Sequence, residues 1–421
     1  MRYLRKSLIF SGLRYLEYGI IALSYIVIAK KVGPAEYSKT IPGFIFITYS
    51  QYLMMGLNAA LIKAYVVDSN FEIKQTYVKN TLYFAFFISF VAFILGVISL
   101  PKQLFVVSLI SSMVYFQNVF QTLLRLEDKI LGINFSNLVF SIIYFVLVFF
   151  YAHSIQMFFL YWLFSLIISN LLNAIQAYPI LKKLQLRFHK KDILQVVKTI
   201  KPQIKLGTKM TLMGIVSTYF LTFDRFLLNN FSTNKALKGN YQLADNIAST
   251  IYLFFVTVLF YYTPTILKKA SLSSAFRVQM LKYGIIFTLI LSVLAIGITP
   301  FIDRFIILKY FPAYADLTYF LTYQFILKII ILSIGIAGNI SIALNSEVRF
   351  LKWWFLSIFI GGTMLFVFYK FAALKTEEII TLALIFQFTA IIISNAFYLW
   401  ANRRAFFALS ADKELIDCLP E

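Results

Sequence analysis

The chain has 421 residues, 60% of them hydrophobic and only 14% charged, whereas a soluble domain carries roughly 25% charged residues. That balance points to a membrane protein, and the formal net charge of +21 is then a matter of basic cytoplasmic loops rather than of nucleic-acid binding. One cysteine, Cys418, and two histidines in separate loops, His153 and His189, exclude an intrachain disulfide framework and a Cys- or His-rich metal centre.

A bilayer core of about 30 Å needs roughly 20 apolar residues per helical span. Twelve such stretches occupy nearly the whole chain, at residues 8–29, 41–66, 77–100, 104–126, 131–151, 156–179, 206–230, 241–266, 283–301, 317–344, 350–371 and 379–402. The first follows a basic start, Met1 to Lys6. It is too long for a signal-peptide core and has no small-residue cleavage pattern after it, so it reads as an uncleaved span. The runs are too long and too continuous for barrel strands. Backbone groups in lipid must be satisfied within the segment, so the spans are helices. The fold class is therefore all-α integral membrane, with about twelve transmembrane helices. Residues 1–180 form an N-terminal six-helix bundle, 181–205 a basic cytoplasmic linker, 206–402 a C-terminal six-helix bundle and 403–421 a cytoplasmic tail.

With the N-terminus inside, 26 Lys and Arg fall in the inside gaps and ten in the outside gaps. The positive-inside rule then places both termini in the cytoplasm. The central inside gap carries nine of the 26, counted from Lys182 to Lys209. Its stretch Asp192 to Ile200 reads either as an amphipathic helix on anionic lipid or as a plain basic tether. Six spans on each side give the halves parallel orientation, which suits repeats related by an axis along the membrane normal. Span 1 ends in IAKKVGPAEYSKTIPG and span 7 in LLNNFSTNKALKGNYQLAD. Each is a long helix, then a polar turn with Gly, then a Tyr leading into the next helix. Pro264 is a candidate kink in span 8, and Asn58, Asn339 and Asn345 are candidates for helix–helix hydrogen bonds or for ligands.

Three cations are left inside spans, Arg14, Arg225 and Lys328, with three carboxylates, Glu17, Asp224 and Asp245. A charge at the bilayer centre costs about 2.5–3.5 kcal/mol on insertion scales and usually faces a bundle interior or a wet cavity. Arg14 and Glu17 are three apart and share a helix face. Asp224 and Arg225 are adjacent and point about 100° apart, so each needs a partner on another helix, in water or on a substrate. Asp245 lies early in span 8, within snorkelling reach of the interface. Lys328 has no carboxylate within four residues on its own helix and stands out as the unpaired cation. Ion pairs that only align the bundle are the competing reading for each.

Several local patterns resemble polysaccharide flippases of the Wzx type, in the multidrug/oligosaccharidyl-lipid/polysaccharide (MOP) exporter superfamily. KKVGPAEYSKTIPG after span 1 is similar to the family's Arg/Lys-x-Gly-Pro-x-x-Tyr-Gly turn at Gly33, Pro34 and Tyr37, with Ser38 in place of the usual Gly. GLRYLEYG in span 1, TFDRFLLNNF in span 7 with Asp224 and Arg225, and KGNYQLAD at Gly239, Tyr241 and Ala244 follow in the family's order. The resemblance implies two six-helix bundles around a central cavity that alternate between inward and outward access. The implied substrate is a polyprenyl-diphosphate-linked oligosaccharide, an O-antigen or capsule repeat unit, moved from the inner to the outer leaflet of a bacterial cytoplasmic membrane. Arg14, Arg225 and Lys328 are then the substrate-binding candidates, because cations in a cavity neutralise a diphosphate. Glu17, Asp224 and Asp245 are the candidates for ion pairing or ion coupling, with H⁺ or Na⁺ as the coupling ion. No other cofactor and no metal are expected, and the partners are the lipid-linked oligosaccharide, membrane lipids and other polysaccharide assembly proteins.

Two other functions compete. A polytopic polysaccharide polymerase or glycosyltransferase would gather acid/base groups in a large outside loop, but the longest, about Ile302 to Asp316, is short and offers only Asp303, Arg304, Lys309 and Asp316. A drug or cation antiporter would carry an acid-dominated interior, whereas this one is balanced. The major-facilitator fold expects a Gly/Asp/Arg-rich turn after span 2, where the chain reads KAYVVDSNFEIKQTYVKN.

Overall fold

Every predicted span but the second falls on a single helix in the computed structural model, which describes residues 2–67, 71–186, 192–344, 346–371 and 376–403. His189, Asn345, Cys418 and all of the tail after Arg403 lie outside the described residues. The helices are α1 (Arg2–Tyr37), α2 (Ile41–Ser50), α3 (Leu57–Val67), α4 (Phe71–Ser99), α5 (Phe105–Leu126), α6 (Ile130–Tyr151), α7 (Ile155–Lys183), α8 (Asp192–Phe231), α9 (Lys235–Leu272), α10 (Ser274–Ile302), a single turn α11 (Leu308–Tyr310), α12 (Leu317–Ala343), α13 (Glu347–Phe371) and α14 (Thr376–Ala401). No strand occurs among the described residues. Seven stretches among them are both long and apolar enough to cross a membrane. One of these, Ile9–Met54, takes in the first predicted span and the start of the second.

The chain divides into two units, Met1–Ile215 and Val216–Glu421. The division falls inside α8, beyond the 181–205 stretch read as a linker. In the first unit α5 packs between α4 and α7, and α6 lies against α1 and α7. Small residues bring α4 and α5 together: the Ser112 hydroxyl donates to the Ser89 carbonyl at 2.8 Å, the kind of close contact that holds helices where no hydrophobic force separates protein from lipid. Lys31 caps α6, its ammonium donating to the carbonyls of Val148, Phe149 and Ala152 at 3.1, 2.6 and 3.1 Å. These are C-terminal carbonyls with no partner in their own helix. Gly33 turns the chain within α1 with φ +76°, a backbone that glycine adopts without a Cβ penalty.

Two expectations need correction in this unit. Span 2 is not one helix: α2 ends in a 3₁₀ turn, and Met55 and Gly56 take left-handed φ of +46° and +66° before α3 begins. The break admits α8, because the Gly56 and Gly207 backbones touch and a Cβ on either would strike the other's carbonyl oxygen. The basic stretch at Asp192–Ile200 is likewise neither a free tether nor a helix lying apart on lipid. It is the first part of α8, packed on α4. Val196 and Ile200 join the hydrophobic core of this unit. Thr199 donates to Asn80 at 3.1 Å, and Gln203 donates to the Thr81 hydroxyl at 2.7 Å. Four residues with helical spacing, Val196, Thr199, Ile200 and Gln203, face inward, which sequence charge alone concealed.

In the second unit α9 packs along α12, which also meets α10, α13 and α14. The rest of α8 is held by aromatic contacts: the Phe220 ring stands 5.0 Å from Trp354 of α13 and Phe223 stands 5.9 Å from Phe386 of α14. α9 is helical through the position of Pro264. α10 has a bare apolar face, with Leu289, Val293, Leu294 and Phe301 exposed.

Candidate functional site

The second unit buries a charge cluster built from α8, α9, α12 and α14. Asp224 and Arg225 diverge from α8, as adjacent helical residues must. Arg225 Nη1 reaches Asp245 Oδ2 on α9 at 2.9 Å. Lys328 Nζ, from α12, reaches the other oxygen of Asp245 at 2.7 Å. Both cations also donate to the Leu221 carbonyl, Arg225 at 3.2 Å and Lys328 at 3.3 Å. Asp245 is 1% exposed, Lys328 2% and Arg225 7%. Asp245 therefore does not snorkel and Lys328 is not unpaired. The α9–α12 contact turns both inward, and their partners lie on a different helix from each, where spacing along one helix could not show them.

Asp224 sits in a different environment. It is fully buried, and its contacts are neutral donors: the Tyr241 hydroxyl, Gln324 Nε2 at 2.7 Å and Gln387 Nε2 at 3.5 Å. Gln324 also donates to the Tyr241 oxygen at 2.5 Å, and Gln387 to the Phe220 carbonyl at 3.0 Å. Among the described residues, the Oε1 atoms of Gln324 and Gln387 have no hydrogen-bond partner, nor does Nε of Arg225. The cluster thus holds two carboxylates and two cations, both cations on one carboxylate, with orphan acceptors on residues bound to the other.

The first unit carries the second cluster, within α1 and α6. Arg14 Nη1 grips Glu17 at 2.9 and 3.2 Å, as their spacing suggested. Asn137 of α6 completes it. With its amide turned to suit its neighbours, an assignment made from the hydrogen bonds, its oxygen accepts from Arg14 Nη2 at 3.2 Å. Arg14 also lies over the Phe10 ring at 5.9 Å. Arg14 is thus placed in the first unit, and Arg225 and Lys328 together in the second.

Tyr241, Gln324, Gln387 and Asn137 were missed as site residues. Two of them had a readable signal. Tyr241 precedes Asp245 by four residues and Gln324 precedes Lys328 by four, so each shares a helix face with a charge already singled out. Asn137 and Gln387 carry no local signal, since their partners are far along the chain.

No family model matches the sequence, and no curated protein is similar to it at the level of sequence. Solved structures are similar. An outward-facing multidrug resistance MATE family transporter of the MOP superfamily aligns with a TM-score of 0.63 at 13% identity, over 95% of each chain. The lipid II flippase MurJ, in an inward closed conformation, aligns with a TM-score of 0.61 at 15% identity, over 95% of this chain and 89% of MurJ. A Vibrio cholerae MATE transporter, VcmN, aligns at 0.59 and 15% identity over 96% of this chain and 99% of its own. The fold is similar to that of these solved structures, two MATE transporters and a flippase. The described residues are helical, with seven stretches long and apolar enough to cross a membrane. Identities this low speak to the fold and leave the substrate to the residues of this chain.

Proposed function

We propose that the protein is a flippase that moves a polyprenyl-diphosphate-linked oligosaccharide, such as an O-antigen or capsule repeat unit, from the inner to the outer leaflet of a bacterial cytoplasmic membrane, with both termini in the cytoplasm. The observation that carries this reading is the pair Arg225 and Lys328, two buried cations converging on one carboxylate in a fold shared with a lipid II flippase. Two cations around one anion suit a group with two negative charges. A substrate diphosphate would replace Asp245 as their partner, offering Arg225 bidentate contacts and Lys328 a point charge. Arg14, on Glu17 and Asn137, is the buried-cation candidate of the first unit.

The Asp224 corner supports coupling to H⁺ or Na⁺. A buried carboxylate held by neutral donors, beside two orphan amide oxygens, is chemically suited to a proton or a small hard cation. Glu17 is the corresponding candidate in the first unit.

The test is reconstitution. Purified protein in vesicles with polyprenyl-diphosphate oligosaccharide in one leaflet is expected to move it to the other. Arg225→Ala and Lys328→Ala, at matched amounts of folded protein, are expected to lower the rate by tenfold or more. Full activity of both variants would remove the cations from the substrate path. A drug or cation antiporter, the alternative that the multidrug resistance MATE neighbour suggests, would move dye cations and leave the lipid-linked sugar in place. Polymer formation by the purified protein would instead revive the polymerase reading.

A further inference from the structure

Lys328 has a second neighbourhood. Its ammonium belongs to the charge cluster, but its side chain also lines a cavity of about 200 Å³ between α9, α10 and α12. Every other residue lining that cavity is apolar or aromatic. The rim is open on the bare side of α10: Ile251, Leu294 and Ile298 are 44%, 58% and 54% exposed. The floor is closed by Ala248, Phe325, Lys328 and Leu332, each at most 5% exposed. The cavity therefore runs from an exposed apolar rim to the side chain of a buried cation.

An amphiphile with a phosphate head and a long apolar tail faces one difficulty in mid-membrane. Its head needs cations and its tail needs hydrocarbon, at the same depth and a few bonds apart. Lys328 stands between two regions that meet these needs. On one side are Arg225, Asp245 and the Leu221 carbonyl. On the other is a dry slot that opens towards lipid. An apolar cavity of about 150 Å³ holds a benzene molecule, so one of about 200 Å³ accepts about one or two isoprene units. We propose that this slot between α9, α10 and α12 receives the phosphate-proximal isoprene units of the polyprenyl chain while the phosphate lies at Lys328 and Arg225. This rests on the flippase reading and adds to it where the tail leaves the protein. The occupant is the polyprenyl chain of the substrate rather than an acyl chain of a bilayer lipid.

The experiment uses the full-length protein with Cys418→Ser in proteoliposomes, and a polyprenyl phosphate with a diazirine on its first isoprene unit. Irradiation is expected to label peptides of α9, α10 and α12. Ala295→Phe, which fills the slot from α10 and leaves the charge cluster intact, is expected to cut labelling and polyprenyl flipping at least tenfold, at an unchanged melting temperature. Should Ala295→Phe fold poorly, Ala295→Cys is made instead and blocked after reconstitution with N-benzylmaleimide, with the same expectation. If the parent protein flips the substrate but the filled variants flip it equally well, or label falls on other helices, the slot assignment is overturned and the flippase reading stands. Equal labelling of the slot by a diazirine phosphatidylglycerol in competition would also overturn it, by assigning the slot to bilayer lipid. If the parent protein neither flips nor binds polyprenyl phosphate, the flippase reading itself fails and the slot assignment falls with it.

Discussion

Lys328 of α12 lies 2.7 Å from Asp245 of α9, and the same carboxylate also holds Arg225 at 2.9 Å. One acid therefore compensates two buried bases, and the three side chains have unequal weight. Removing one partner of a buried pair typically costs about 3–5 kcal/mol, because a charge is left without compensation. Asp245→Ala strands two cations and is expected to be the most destabilising single change, at or above the top of that range. Lys328→Met leaves Arg225 on Asp245 and is expected to cost least. The combined change Arg225→Met, Asp245→Leu and Lys328→Met removes every stranded charge and should melt above Asp245→Ala. Thermal unfolding of the detergent-solubilised variants checks the order. Asp245→Ala melting at or above Lys328→Met would show that Asp245 is not the hub.

The second pair has a finer geometry. Arg14 touches Glu17 with one guanidinium nitrogen and reaches Asn137 with another, a fork that a lysine ammonium does not reproduce. Arg14→Lys keeps the charge and loses the fork. Transport by Arg14→Lys is expected to fall tenfold or more, matching about 1.5–3 kcal/mol of lost hydrogen bonding to a charged group. Asn137→Ala in the Arg14→Lys background should then cost little more than Arg14→Lys alone. A double-mutant cycle on the transport rate measures this, and full additivity would mean that the Asn137 contact has no functional weight.

Much of this arrangement was legible in the sequence, and what was hidden has one physical cause. Spans follow from run length and the Arg14–Glu17 pair from spacing on one helix, because both are local. The opposite directions of Asp224 and Arg225 are also local, since they follow from helix pitch. Lys328–Asp245 and Gln387–Asp224 join residues far apart in the chain, and only the packing of α9 and α14 around α8 and α12 reveals them. The break in span 2 was hidden differently. Gly56 sits in a run apolar enough to read as continuous helix, and the reason for the break is the backbone of Gly207.

That backbone contact makes the glycines sensitive. Gly207 is inside α8, where alanine would gain about 1 kcal/mol of helix propensity. The added Cβ, however, meets the Met55 and Gly56 carbonyl oxygens, which are backbone and give way little. Overpacking costs about 1–3 kcal/mol, so Gly207→Ala is expected to be destabilising on balance. Gly56→Ala adds a side chain at φ +66° as well as the clash and should be worse. Melting curves in detergent decide this; a Gly207→Ala protein as stable as the parent would mean that α8 does not seat against the break in the way described.

The start of α8 offers the last test, on whether the basic stretch after α7 is docked or free. Thr199 and Asn80 share a hydrogen bond of 3.1 Å, and Val196 and Ile200 flank it in the core. A docked helix keeps positions 199 and 80 within reach of a short thiol cross-linker. In the Cys418→Ser background, Thr199→Cys combined with Asn80→Cys is expected to cross-link to high yield in native membranes. Lys198→Cys with Asn80→Cys, one residue round the helix and about 100° away, should cross-link far less. Docking also has an energetic signature. Gln203 donates to Thr81 at 2.7 Å and is fully buried, so Gln203→Leu leaves the Thr81 hydroxyl without that donor, at a cost of about 1–3 kcal/mol. A helix lying free on the lipid surface would give equal cross-linking at 198 and 199 and no loss of stability from Gln203→Leu. Either result would return residues 192–203 to the status of a tether, and the first unit would then end at α7.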